Sequence, residues 1–139
     1  MAKKLSLSAI IRPDESEYVD ATQLDAGLTD ALLAINVKVF GPTQHLSVLE
    51  SSKVFSRQLA QQLNLPSPHF AHFSQGNADA AIAWCATFDR PVVVKQSGLA
   101  GGKGVVVPET IVETHVAIRE AIAVGDIVLE ERLVGTEVS

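Results

Sequence analysis

The sequence predicts an α/β fold in which helices pack on a mostly antiparallel sheet, and two observations carry this prediction. Apolar residues recur at helical spacing in four segments, and short β-branched runs lie between or after them. A glycine-rich segment also separates two β-branched runs, Pro91 to Lys95 and Gly104 to Val107. This pattern favours a hairpin over a strand followed by a helix.

The first half of the chain predicts helices around one short strand. Residues 21–35 predict a helix with one buried face, formed at i, i+4, i+7 and i+11 by Leu24, Leu28, Ala31 and Ile35. Val37, Val39 and Phe40 predict a strand that Gly41-Pro42 ends. Residues 47–63 predict a second helix, whose apolar stripe is Phe55, Leu59 and Leu63 and whose other face carries Lys53 and Arg57.

The second half predicts an α+β subdomain. His69 to Phe73 predicts a strand, and a helix capped by Asn77 follows, with an apolar face of Ala81, Trp84, Cys85 and Phe88. After the two β-branched runs, residues 108–123 predict a helix whose start signals are Pro108 to Thr110, with Ile111, His115, Ile118 and Ile122 on one face. Residues 127–131 predict the last strand.

Composition excludes several function classes. The chain has 139 residues, which suits one ordinary domain, and 47% of them are apolar. No apolar run approaches the roughly 20 residues of a membrane span, so we predict no membrane segment and no secretory signal. One cysteine excludes an internal disulfide and favours a cytoplasmic location. The net charge of -5 argues against broad nucleic-acid binding.

The glycine-rich segment is the sharpest chemical motif. Four glycines occur within seven residues: Gly98, Gly101, Gly102 and Gly104. They allow backbone amides to converge on an anion such as a polyphosphate. Lys95 precedes this segment, and Lys103 lies within it. The motif is not a Walker A loop, because Ser97 stands where its first glycine would be. A flexible surface hairpin without a ligand remains an equal alternative from these residues alone.

Three segments together resemble a known family. Glu50-Ser51-Ser52-Lys53-Val54-Phe55 is similar to the segment that opens the ATP-grasp region of the phosphoribosylamine-glycine ligase family, and the glycine loop is similar to that family's GLAAGKGV hairpin. Residues 128–139 resemble its hinge, an EE-x-L segment before Gly-x-Glu. The resemblance covers roughly residues 36–139. Gln96-Ser97 departs from the usual Ala-Asp, and the family's N-terminal Gly-x-Gly-Gly-Arg-Glu-His motif is absent.

The resemblance implies roles for particular residues. Lys53 and Lys95 match the family's two ATP-contacting lysines, and the phosphate loop matches Gly98, Gly101, Gly102, Lys103 and Gly104. The hinge backbone at Glu130, Glu131 and Leu133 would read the adenine edge, and Glu137 would accept hydrogen bonds from the ribose. No catalytic side chain and no metal ligand is assigned, since the family's Mg²⁺ ligands lie beyond the point that matches Ser139.

The resemblance also implies a division of the chain and a function. Residues 1–42 would be the tail of an N-terminal α/β unit, 43–66 the connecting helices, 67–131 the ATP-grasp lid subdomain, and 132–139 the start of a second lobe, so that the chain is a truncated piece. The expected function is the ATP-binding part of a ligase that joins glycine to phosphoribosylamine through a glycyl phosphate in purine biosynthesis. ATP and Mg²⁺ are the implied cofactors, and self-association through uncovered surface is expected.

Alternatives stay open at this stage. The chain could be a non-catalytic nucleotide-binding or interaction fragment, or part of another ATP-grasp carboxylase or ligase. Lys53 could be a solvated helix residue paired with Glu50. Cys85 is expected to pack as a small hydrophobe rather than act as a nucleophile, and the four histidines are expected to be structural.

Overall fold

The structure is a computed structural model that describes residues 21–98 and 104–136. The described residues form six helices and four strands. In chain order these are α1 Ala21–Asp25, α2 Leu28–Ala34, α3 Gln44–Ser51, α4 Lys53–Gln62, β1 Phe70–Phe73, α5 Ala78–Cys85, β2 Val92–Gln96, β3 Val105–Val106, α6 Ile111–Val124 and β4 Ile127–Glu131.

The four strands form one antiparallel sheet in the order β1-β4-β2-β3. The last strand, β4, therefore lies in the interior of the sheet between β1 and β2. Strands β2 and β3 pair as a hairpin, with Lys95 opposite Val105 and Val94 opposite Val106. The four strands predicted in the second half of the chain are confirmed, as is the pairing of β2 and β3 as a hairpin, and β3 is an edge of the sheet.

The core lies between one face of the sheet and helices α5 and α6. Alternate residues of β2 and β4 face these helices, because side chains of a strand point to opposite faces in turn. The buried cluster consists of Ala81, Cys85, Val92, Val94, Ala117, Ile118, Ile122, Ile127 and Leu129. Two helices on one face of the sheet were predicted, and the packing of Trp84, Cys85 and Phe88 against this core is confirmed.

Helix α6 begins at a side-chain cap and buries part of the predicted face, since Ile118 and Ile122 are buried. The Thr110 hydroxyl accepts a hydrogen bond from the Glu113 amide, which is a standard helix start. Ile111 is half exposed, whereas Thr114 is buried. The hydroxyl of Thr114 donates to the Thr110 carbonyl at 3.0 Å, so a polar side chain is buried with a partner. Apolar periodicity therefore found Ile118 and Ile122 but not the buried Thr114.

Residues 21–35 form two helices, and the prediction of one helix is wrong. Gly27 has φ of 84°, a left-handed conformation that glycine adopts readily and that interrupts the helical path. Leu28 is buried as predicted, but Ile35 is half exposed. The predicted buried face therefore exists only in part.

The predicted helix over residues 47–63 is also two helices. Ser52 is extended, with φ of -123° and ψ of 103°, and its hydroxyl accepts from the Phe55 amide at 3.2 Å. Serine competes well for this capping position, so the motif that precedes Lys53 starts a new helix. Helix α4 buries no residue, and its predicted apolar stripe is exposed at Phe55 and Leu63.

Residues 37–40 are not a strand, and that prediction is wrong. They pair with no strand of the described sheet, and Val37 and Phe40 are exposed. A β-branched run needs a neighbouring strand for its backbone hydrogen bonds, and none of the described strands takes that place.

Candidate functional site

The face of the sheet opposite the core carries a buried ion pair. Lys95 on β2 pairs with Val128 across the sheet, and Val93 pairs with Glu130, so Lys95 and Glu130 are diagonal neighbours on one face. The Lys95 ammonium lies 2.7 Å from Oε2 of Glu130. Glu130 itself is only 4% exposed. Its position in the interior strand therefore places a carboxylate under the start of the glycine hairpin.

Helix α4 covers this face and supplies a second cation. The Arg57 guanidinium donates from Nε to Oε1 of Glu130 at 2.6 Å and from Nη2 to Oε2 at 3.0 Å. Side chains of Arg57 and Lys95 are 28% and 22% exposed, so water reaches both cations but hardly reaches the carboxylate between them. The three groups together carry one net positive charge.

These contacts keep Glu130 ionised. Burial by itself would raise its pKa, but hydrogen bonds from Arg57 and Lys95, together with their positive charges, outweigh burial and lower the pKa below the ordinary glutamate value. The carboxylate is therefore a fixed negative charge at neutral pH.

Lys53, the first residue of α4, connects the helix to the glycine hairpin. Its ammonium donates to the Gly98 carbonyl at 3.1 Å. Gly98 has φ of 105°, a conformation that side-chain-bearing residues rarely adopt. At the base of the same hairpin the Gln96 amide donates to the Gly104 carbonyl at 2.7 Å. Lys53 thus contacts the hairpin rather than pairing with Glu50 as in the alternative interpretation.

The charged side chains surround an open cavity of about 260 Å³. Its lining is Leu49, Glu50, Lys53, Ser56, Arg57, Lys95, Val105 and Glu130. Three cations against two carboxylates leave an excess positive charge, which suits an anionic ligand. The volume is below the roughly 300 to 1,000 Å³ of complete small-molecule sites, so the described residues form part of a site.

A larger cavity of about 450 Å³ lies beyond the end of α4 and carries no lysine or arginine. It is lined by Gln61, by residues 64–69 and by Phe70. A phosphate-bearing ligand would find no lysine or arginine there, so the smaller cavity, with three such side chains, is the better candidate.

The predicted site residues divide into three groups. Lys53, Lys95 and Glu130 meet at the charged cavity, with Gly98 in contact through Lys53 and Gly104 at the base of the hairpin. Glu131 and Leu133 follow in the chain, but neither lines the cavity. Four predicted residues, Gly101, Gly102, Lys103 and Glu137, lie outside the described residues.

The hinge segment after β4 is anchored through a side chain. Adjacent strand residues point to opposite faces, and Glu131 pairs with Val92 while its amide donates to the His69 carbonyl at 2.8 Å. Arg132 donates to the Pro108 carbonyl and to both carboxylate oxygens of Glu109, each at 3.1 Å. Arginine therefore ties the hinge to the start of α6.

Of the three cations that line the cavity, Arg57 is the one that was not predicted as a site residue. It follows Lys53 by four residues, and the sequence pattern placed both on one face of a helix. A cation one turn after the lysine of the family motif was the available signal. No group of three or more histidine, cysteine, aspartate or glutamate side chains that could hold a metal occurs in residues 21–98 and 104–136. In the same residues, no helix is long and apolar enough to cross a membrane.

Solved structures show the class of fold. The structure superposes on a phosphoribosylamine-glycine ligase from Thermotoga maritima with a TM-score of 0.63 and 28% identity, covering 78% of this chain and 29% of that one. It also superposes on D-alanine-D-alanine ligase from Helicobacter pylori with a TM-score of 0.66 over 81% of this chain and 35% of that one, at 23% identity, a likeness of fold alone. The fold is that of a piece of an ATP-grasp protein.

Sequence comparison narrows the class to one family. Residues 51–139 match the family model of the phosphoribosylglycinamide synthetase ATP-grasp (A) domain. Phosphoribosylamine-glycine ligases from Synechocystis and from Neisseria meningitidis serogroup B are 42% and 39% identical, each over 84% of this chain. The chain belongs to the phosphoribosylamine-glycine ligase family. It spans 28% and 29% of the length of these two relatives.

Proposed function

We propose that this chain is the ATP-binding part of a ligase that joins glycine to phosphoribosylamine through a glycyl phosphate in purine biosynthesis. The observation that carries the proposal is the meeting of Lys53 and Lys95, 42 residues apart in the sequence, at one open cavity beside the glycine hairpin. Family membership supplies the substrate class, since the relatives are phosphoribosylamine-glycine ligases.

In this proposal the described residues bind and orient the phosphates of ATP. Phosphoryl transfer asks mainly for positioning and charge neutralisation, because it needs little covalent chemistry from the protein. Lys53 and Lys95 carry flexible point charges that can follow a phosphate, and both already have oxygen acceptors nearby, the Gly98 carbonyl and the Glu130 carboxylate. A phosphate oxygen would replace these acceptors or would accept hydrogen bonds from the two lysines alongside them.

The remaining parts of the nucleotide site are proposed on the resemblance. Gly101, Gly102 and Lys103 would complete the phosphate loop, the backbone of Glu131 to Leu133 would meet adenine, and Glu137 would meet ribose. The resemblance assigns the magnesium ligands to the region beyond the point that matches Ser139, and no step is assigned to the metal.

The proposed division of the chain places these parts in sequence order. Residues 1–42 would end an N-terminal unit, 43–66 would connect it to the lid, 67–131 would be the lid, and 132–139 would begin a second lobe. The sheet, α5 and α6 share one core within residues 67–131, which supports the proposed bounds of the lid. We propose a cytoplasmic location and no nucleic-acid partner.

We also propose that the chain self-associates through apolar surface. Phe40 is fully exposed, and Leu33, Leu46 and Leu49 are about half exposed on the neighbouring helices. Such surface is commonly buried against another chain or another part of the protein. Light scattering at several concentrations tests this, and a concentration-independent monomer mass would contradict it.

The test of nucleotide binding is calorimetry with ADP and ATP. Lys95→Ala should weaken binding by about 1.5 to 3 kcal/mol, the range for a lost hydrogen bond to a charged group. Lys38→Ala changes an exposed lysine away from the cavity and should leave the affinity unchanged. Equal affinity of the unaltered chain and Lys95→Ala would refute the assignment of Lys95.

A second measurement separates binding from turnover. The chain is mixed with Mg-ATP, glycine and phosphoribosylamine, and glycine-dependent ADP release is followed. We expect binding without turnover, because the resemblance places the magnesium ligands for the β- and γ-phosphates beyond the point that matches Ser139. Turnover that disappears in Lys95→Ala would show that this expectation is wrong.

A further inference from the structure

We propose that Arg57 is a positioning residue for the phosphate site, acting on Lys95 through the carboxylate of Glu130. The inference rests on the proposed function, in which Lys95 contacts a phosphate of the nucleotide. It assigns a role to Arg57, a residue of α4 that is not among the site residues implied by the resemblance.

The geometry gives Arg57 control of the carboxylate. Arg57 donates to both oxygens of Glu130, whereas Lys95 contacts Oε2 alone. Two parallel hydrogen bonds from a planar guanidinium fix the plane of a carboxylate, which a single ammonium contact does not do. The orientation of Glu130, and with it the resting position of the Lys95 ammonium, therefore depends on Arg57.

The charges give the same residue a second effect. If Lys95 turned to a phosphate in a chain without Arg57, Glu130 would remain buried with no cation beside it. An unpaired buried charge is strongly unfavourable, so Lys95 would be held by Glu130 against the ligand. With Arg57 in place the carboxylate keeps a bidentate partner, and Lys95 is free to be shared.

Other charged groups near Glu130 do not provide this pairing. Glu50 of α3 and Lys53 of α4 line the same cavity, and the Lys53 ammonium donates to the Gly98 carbonyl. On the β1 side the residue opposite Glu130 is Phe70, which carries no charge. Within the described residues, Arg57 is the arginine that lines the cavity.

The experiment is a double-mutant cycle on ADP affinity, using Arg57→Met, Glu130→Gln and their combination in the full chain. Arg57→Met should raise the Kd of ADP roughly tenfold, within the range measured for coupled neighbours. In the Glu130→Gln background the same change should alter the Kd by less than about twofold, because the carboxylate through which Arg57 acts is gone.

Two further variants keep the result interpretable. Arg57→Lys retains the charge but not the bidentate contact, so it should restore only part of the affinity lost in Arg57→Met, and it also tests the case in which the methionine variant fails to fold. Arg90→Met removes an exposed arginine far from the cavity and should leave the Kd unchanged. A tenfold loss that persists in the Glu130→Gln background would overturn the proposal, since Arg57 would then contact the nucleotide directly.

A carboxyl titration by carbon NMR separates failure of this inference from failure of the proposed function. Arg57→Met should raise the pKa of the Glu130 carboxyl, and an unchanged titration would overturn the positioning role whatever the nucleotide result. If the unaltered chain binds no ADP, the proposed function fails and the inferred effect on nucleotide affinity fails with it. The titration then still decides whether Arg57 holds Glu130.

Discussion

Replacing Glu130 with glutamine should lower the free energy of unfolding by about 1 to 3 kcal/mol at neutral pH. Glutamine has the same shape, but its single amide oxygen can take the place of Oε2, which accepts from both Arg57 and Lys95, so one of the three charge-assisted hydrogen bonds is lost and the other two lose their charged acceptor. Each such bond contributes about 1.5 to 3 kcal/mol. Relief from burying a carboxylate offsets part of this loss, and the partly exposed cations regain water.

The stabilisation by the ionised Glu130 carboxylate should be lost at low pH. The pKa of Glu130 is lowered in the folded protein, because hydrogen bonds from Arg57 and Lys95 outweigh the opposing effect of burial. The stabilisation is therefore complete above the ordinary pKa of 4.5 and is lost as the pH falls through the lowered value. The difference between the unaltered chain and Glu130→Gln should shrink as the pH falls below 4.5.

Urea unfolding followed by circular dichroism measures this difference at neutral pH and at steps down to about pH 3, provided that the transition is two-state. Glu120→Gln makes the same chemical change at an exposed position of α6 and should leave stability nearly unchanged. A loss below about 0.5 kcal/mol for Glu130→Gln, the usual range for surface changes, would refute the reasoning. A loss that is constant over the whole pH range would refute it too.

Two further predictions concern the fold. Gly27→Ala should destabilise the chain by about 1 to 2 kcal/mol in urea unfolding, because Gly27 has φ of 84°, whereas Gly125→Ala should be nearly neutral, since Gly125 has φ of 177° and open space around its Cα. Equal effects would contradict this. Cys85 should react slowly with iodoacetamide near neutral pH until urea is added, because burial raises the pKa of its thiol to about 11. Rapid labelling of the folded chain would contradict that expectation.

The sheet and its two covering helices could be predicted from the sequence because their signals are local. Runs of valine and isoleucine mark β2 and β4, and the Thr110 cap marks the start of α6. The two helix breaks could not be predicted from apolar spacing. At Gly27 a left-handed backbone decides the path, and at Ser52 a hydroxyl offers the next helix a cap, while the apolar pattern continues through both.

The candidate site was predicted in part for a similar reason. Lys53 and Lys95 stood out because each lies within a motif that resembles a family segment. Arg57 did not, because a second cation on a helix face is most often solvated, and only the sheet register shows that a buried carboxylate lies beneath it. The side-chain role of Glu130 was missed since the hinge resemblance concerned its backbone.

Strand β4 carries aliphatic side chains on the face that packs in the core and a carboxylate on the opposite face. Ile127 and Leu129 belong to the core, while Glu130 belongs to the charged cavity. A register slip of one residue would exchange the faces, placing a carboxylate among aliphatic side chains and leucine beside two cations. Insertion or deletion of a single residue within β4 would therefore remove the core and the site together, whereas changes of length after the strand need not affect either. Evolution can alter the residues of this strand but has little freedom in their number.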